Sequence, residues 1–89
     1  MTKKIDFSGK RAWNPTSDSM SFEVEIDGNK KRCLISREAL EDHYGAYQGK
    51  TVEQAFDDNQ SAIEVAARKL INNDQTDAQS EYLIKSQDI

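Results

Sequence analysis

Between Met20 and Ile35 the chain alternates, turns and alternates back, and this stretch restricts the fold more than any other. Met20, Phe22, Val24 and Ile26 are apolar, with Ser21, Glu23 and Glu25 between them, a period of two that buries one face of a strand. Asp27-Gly28-Asn29-Lys30 supplies residues that tolerate positive φ, the chemistry of a tight primed turn. Lys31-Arg-Cys-Leu-Ile35 then returns, giving a hairpin over about 20–26 and 31–35. With Gly28 and Asn29 as the loop, Val24 is expected to face Cys33, Phe22 to face Ile35, and Glu25 to face Arg32 as an opposite-charge pair. Moving the loop back one residue sets Val24 against Lys31, so the first register is preferred.

A helix should hang directly from this ribbon. Ser36 is placed as an N-cap whose hydroxyl accepts from a first-turn amide, and Ile35 and Leu40 have the spacing of a hydrophobic staple. Leu40 and Tyr44 share a face, and Gly45 suits a left-handed C-cap, which predicts a helix over 37–44. Thr51-Val-Glu-Gln54 is a capping box. After it, apolar residues at 52, 55, 56, 63, 66, 67, 70 and 71 keep one helical phase, which predicts one helix over about 52–72. The poor helix formers Asp57-Asp58-Asn59 make a kink or break near 58–61 the alternative. Ile5-Asp-Phe7 reads as an N-terminal strand and Tyr82-Leu-Ile84-Lys85 as a C-terminal one, while Trp13-Asn-Pro-Thr is a turn or edge segment. The expected fold is a single α+β domain over 1–89, its helices on one face of a mainly antiparallel sheet.

Chain length and composition bound what such a domain can do. A chain of 89 residues buries only about 60–65% of its unfolded surface, so the core is thin and self-association would help it. One cysteine allows neither an internal disulfide nor a multi-cysteine zinc site. The start is basic but lacks an apolar stretch after it, which argues against a signal peptide, and no apolar run approaches the length of a membrane span. A cytoplasmic protein is the expectation. Charge is uneven: residues 1–37 carry eight basic side chains against five acidic, a net of +3, and residues 38–89 four against eleven, a net of −7, adding to −4. Such bipolarity either solvates two sides of the domain or meets a charged partner, a second copy included.

These residues resemble a known family. Ile5-x-Phe7, Trp13, Phe22-x-Val-x-Ile-Asp-Gly28, Cys33-x-Ile35-Ser-x-Glu-Ala-Leu40, Phe56-x-x-Asn59 and Ile63-Glu-x-Ala-Ala-x-Lys69 occur in the order seen in small bacterial proteins grouped as domain of unknown function 1488. Gln60 stands where that family often carries an arginine. The resemblance implies a compact bacterial α+β domain and brings no activity, cofactor or catalytic residue with it.

Three constellations invite chemistry. Cys33 and His43 are the only cysteine and histidine, but a nucleophilic thiol needs an accessible, electropositive setting, and Cys33 is expected to point inward. Asp57 and Asp58 project about 100° apart on a helix, and although Glu53 shares a face with Asp57, no histidine lies at ligand spacing. Lys30, Lys31 and Arg32, with Lys3, Lys4, Lys10, Arg11 and nearby Trp13, make the best case for binding a nucleic acid or other partner. A sequence pI near 4.9 weighs against a dedicated nucleic-acid binder. No catalytic residue, cofactor or metal site is expected. The expected role is contact with a protein partner or a homodimer; nucleic-acid binding at the hairpin tip is the alternative and an enzyme the least favoured.

Overall fold

The computed structural model describes residues 3–76 and 81–89. Strands β1 (Ile5–Asn14), β2 (Ser19–Ile26) and β3 (Asn29–Ser36) form an antiparallel meander. Helices α1 (Arg37–Tyr44), α2 (Val52–Asp58) and α3 (Gln60–Asn72) follow, then β4 (Tyr82–Ile84) and a 3-10 turn over Ser86–Asp88. The sheet order is β1-β2-β3-β4, with β4 parallel to β3. That parallel pairing follows from the connection: three helices lie between the strands, and a parallel neighbour needs a crossover of that kind. The α+β class with a mainly antiparallel sheet is as expected. The last strand ends at Ile84 rather than at residue 85, because Lys85 begins the closing 3-10 turn.

The hairpin turns one residue earlier than expected. Asp27 (φ 51°) and Gly28 (φ 86°) are the loop, a pair with positive φ at both positions as a type I′ turn requires. Val24 therefore faces Lys31, Phe22 faces Cys33, Met20 faces Ile35, Glu23 faces Arg32 and Glu25 faces Lys30. Two contacts hold Asp27 against the start of β1: its amide donates to the Lys4 carbonyl at 2.9 Å, and its carboxylate accepts from the Lys4 amide at 3.0 Å. The Val24–Lys31 pairing buries no charge, because Lys31 is exposed near the turn end of the ribbon. The expected and observed registers differ by two residues, so the same side chains face inward in both.

Strand β1 reaches well past the expected Ile5–Phe7. Ser8, Gly9 and Lys10 bulge opposite the single residue Glu23, with Gly9 at φ 85°. Two extra residues leave the side-chain alternation in phase, so Phe7 and Trp13 both pack on the core. Trp13 is thus in the edge strand, paired with Met20, and the turn follows at residues 15–18.

The helix expected over 52–72 is two helices, broken at Asn59 (φ −123°, ψ 20°). The Asn59 amide donates to Phe56 at 3.1 Å instead of to Ala55, and the Asn59 side-chain Nδ2 takes the vacated Ala55 carbonyl at 2.9 Å. Asparagine thus replaces the missing helical bond with its own amide. The apolar stripe still runs through both helices, from Val52, Ala55 and Phe56 to Ile63, Ala66, Ala67, Leu70 and Ile71. The local caps form as expected: Ser36 accepts from Ala39 at 3.1 Å, Gly45 sits at φ 80°, and Thr51 and Gln54 bond reciprocally at 3.0 and 3.1 Å.

The core lies between one sheet face and the helices. Phe22 packs on Phe56 with ring centroids 5.3 Å apart, and Met20, Val24, Cys33, Ile35, Leu40 and Ile63 are fully buried around them. Tying β1 to the helices, the Arg68 guanidinium lies 5.3 Å from the centre of the Phe7 ring. Among the described residues, no helix is long and apolar enough to cross a membrane.

Candidate functional site

Because the helices occupy one face of the sheet, alternate residues of the meander are left on the other. Ala12, Ser21, Glu23, Lys30 and Arg32 alternate with core-facing neighbours and so point away from the helices. With Lys10, Arg11 and Lys31 at its margin, this face holds an open cleft of about 430 Å³. Small side chains make the depression: Ala12 and Ser21 sit opposite each other, and the Ser21 hydroxyl donates to the Ala12 carbonyl at 3.0 Å. The bulge places Lys10 beside it, its amide bonded to Ser8 Oγ at 3.2 Å.

Charge at the cleft is partly spent. Arg11 donates two bonds of 2.8 Å to the Asp57 carboxylate, and Arg32 pairs with Glu81. The Arg11 bonds hold Asp57 below its ordinary carboxylate pKa and raise that of Arg11. Lys10, Lys30 and Lys31 are exposed, and among the described residues no carboxylate lies within ion-pair distance of their ammonium groups. Glu23 and Glu25, paired across the ladder with Arg32 and Lys30, share the face and dilute its positive potential.

The structure therefore gathers Lys30, Lys31 and Arg32 with Lys10 and Arg11, and separates Lys30 and Lys31 from Trp13. Trp13 pairs with Met20 at the far end of β2 and packs on the core; five residue steps, about 17 Å of strand, separate that pair from Glu25–Lys30. Lys3 is also elsewhere, donating to the Ile71 carbonyl at 2.8 Å and pairing with Asp74. Sequence reading missed the cleft floor, because the alternation of β1 breaks at Ser8-Gly9-Lys10 and hides that Ala12 lies opposite Ser21.

Cys33 and His43 serve packing and helix-end contacts. Cys33 is wholly buried among the core residues, and burial pushes its thiol from an ordinary 9.0 to about 12. His43 is exposed at the end of α1, where its Nε2 lies 3.0 Å from the Ser86 carbonyl. Asp57 and Asp58 diverge as their helical spacing demands, the first to Arg11 and the second to Lys50 at 3.0 Å. Among the described residues, no three His, Cys, Asp or Glu side chains gather closely enough to hold a metal ion.

Comparison with known proteins agrees with this architecture. The family described as "Protein of unknown function (DUF1488)" matches residues 5–84. Among solved structures, the chain is similar to a crystal structure of a protein of unknown function from the DUF1488 family of Shewanella loihica PV-4. The two are 26% identical over 94% of each chain, with a TM-score of 0.81. No curated protein matches the chain. With a family match across most of its length and a similar fold in a solved member, this chain belongs to the DUF1488 family.

Proposed function

We propose that this protein is a non-enzymatic, cytoplasmic binding domain that docks an acidic segment of a protein partner on the helix-free face of its sheet. The observation that carries this reading is the cleft itself: a small-residue floor at Ala12 and Ser21, edged by Lys10, Lys30 and Lys31. A depression of about 430 Å³ accommodates a few side chains of an extended segment, and cations at its margin select carboxylates. The buried Cys33 supports a role without thiol chemistry, and a lone free cysteine accords with a reducing compartment.

Nucleic acid is the second reading, favoured by the same three exposed lysines. Three phosphate contacts give a log–log salt slope of only about −3, far weaker than dedicated binders with six to ten contacts. Glu23 and Glu25 on the face, and the distance to Trp13, further weaken it.

Fluorescence anisotropy with a labelled Asp/Glu-rich decapeptide and with mixed-sequence DNA tests both readings. The peptide is expected to bind at low salt and to lose at least tenfold in affinity in K30E/K31E. Failure of the wild-type protein to bind the peptide overturns the first reading, and DNA binding that outcompetes the peptide replaces it with the second.

A further inference from the structure

We infer that the cleft reads the spacing of charge: it takes an extended segment of a protein partner in which two carboxylates, four residues apart, flank a basic residue. This rests on the proposed docking role of the cleft and specifies the segment it accepts. Lys10 stands on β1 where the bulge lies opposite Glu23, and Lys30 stands on β3 opposite Glu25. Glu23 and Glu25 occupy β2 between them, on the same helix-free face. Crossing the sheet from β1 to β3 therefore meets positive, then negative, then positive charge.

These charges are not neutralised from within. Arg32, the ladder partner of Glu23, is bonded to Glu81, and Arg11 is bonded to Asp57. Among the described residues, no cation lies within ion-pair distance of Glu23 or Glu25, and no carboxylate within that distance of Lys10 or Lys30. The floor adds no competing donor, since the Ser21 hydroxyl is given to the Ala12 carbonyl. Sheet geometry then sets the spacing. Lys10 and Lys30 are two strand spacings apart and offset by two residues along the strands, which puts their backbones about 12 Å apart. An extended segment advances about 3.3 Å per residue, so residues i and i+4 lie about 13 Å apart, and i and i+2 only about 7 Å. Side chains i, i+2 and i+4 share one face, so the middle one meets Glu23 and Glu25 while the outer two meet the lysines. A third carboxylate in the middle is repelled and a basic side chain is attracted. A surface that merely collected anions would instead gain affinity with every added acid.

Fluorescence anisotropy with capped, labelled decapeptides at about 20 mM salt, where exposed charges are weakly screened, tests the inference. In a Gly/Ser background, two glutamates stand four residues apart and the residue midway is Lys, Gln or Glu. Affinity is expected to fall in that order, by about two- to fivefold per step, the range of an exposed charge pair. An isomer of the Lys peptide with its glutamates adjacent is expected to bind more weakly by a similar factor. E23Q/E25Q is expected to erase the order, and K10E to weaken the Lys peptide at least fivefold, with thermal melts verifying that both variants fold. An absent or reversed order in the wild type overturns the inference, as does an order that survives E23Q/E25Q or equal binding of the adjacent-glutamate isomer. The Asp/Glu-rich decapeptide separates the two levels. If it binds while the order is absent, only the spacing falls; if neither it nor any peptide of the set binds, the docking role falls too.

Discussion

Replacing Asn59 with alanine asks whether the break between α2 and α3 belongs to the residue or to the packing around it. Alanine has the highest helix propensity, and healing the ladder would gain up to about 0.7 kcal/mol over asparagine. In the structure, however, the Asn59 Nδ2 donates to the carbonyl of Ala55 at 2.9 Å, and Ala55 is fully buried. If the core under Phe56 and Ile63, with the ties from Arg11 to Asp57 and Lys50 to Asp58, holds the backbone in its broken form, N59A strands that carbonyl. An unsatisfied buried acceptor costs about 1–3 kcal/mol, so N59A should lose about 1 kcal/mol net. For a domain of this size that is about 1 M in the urea midpoint and about 4–8 °C in Tm. N59D, which keeps the shape but loses the donor, should lose at least as much. Urea melts followed by far-UV circular dichroism read both numbers. An N59A protein that is more stable than wild type and more helical at 222 nm would refute the reasoning, because the break would then be a local choice of asparagine.

Three further predictions rest on single contacts. Cys33 should resist a thiol reagent until the protein unfolds; moreover, a folded-state pKa raised to about 12 from 9.0 means that only the unfolded chain ionises between these values. Cys33 should therefore contribute no pH dependence below about pH 9 and a fall of about 1.4 kcal/mol per pH unit above it, a share of the alkaline slope that C33A removes in urea melts across that range. D57N should lose less than about 1 kcal/mol at neutral pH, since Arg11 and Asp57 are both partly exposed. The Asp57 pKa is lowered by the Arg11 bonds, so this contribution is present above the ordinary 3.8 and disappears as the pH falls through the depressed value, where D57N and wild-type melts should converge. T51A removes one half of the α2 capping box and should lower the urea midpoint by the equivalent of about 1 kcal/mol.

Local chemistry was legible along the chain wherever one residue answers to its immediate neighbours. Ser36 and Gly45 bound α1 at the expected residues because a cap needs only a side-chain oxygen or a residue free to enter positive φ. Which side chains are buried was also legible, as the period-two and helical patterns pick faces whatever the register: a hairpin misplaced by two residues still buried Phe22, Val24 and Cys33. The extent of β1 was not, since its bulge at Ser8–Lys10 interrupts the alternation by which a strand is recognised. At the candidate site, the clustering of Lys30, Lys31 and Arg32 is a matter of adjacency, but the exclusion of Trp13 depends on which end of β2 it pairs with.

By itself, then, the order of residues determined the α+β class, the caps, the buried set and the sealed cysteine, because each follows from short-range geometry and the removal of apolar surface from water. Tertiary structure alone decided the turn at Asp27–Gly28, the parallel placement of β4 and the meeting of Arg11 with Asp57. Each of those depends on a partner far along the chain: Lys4 for the turn, Cys33–Ile35 for β4, and a helix 46 residues away for Arg11. Pairings at that separation carry no periodic signal, since they are selected by the whole fold rather than by neighbouring residues.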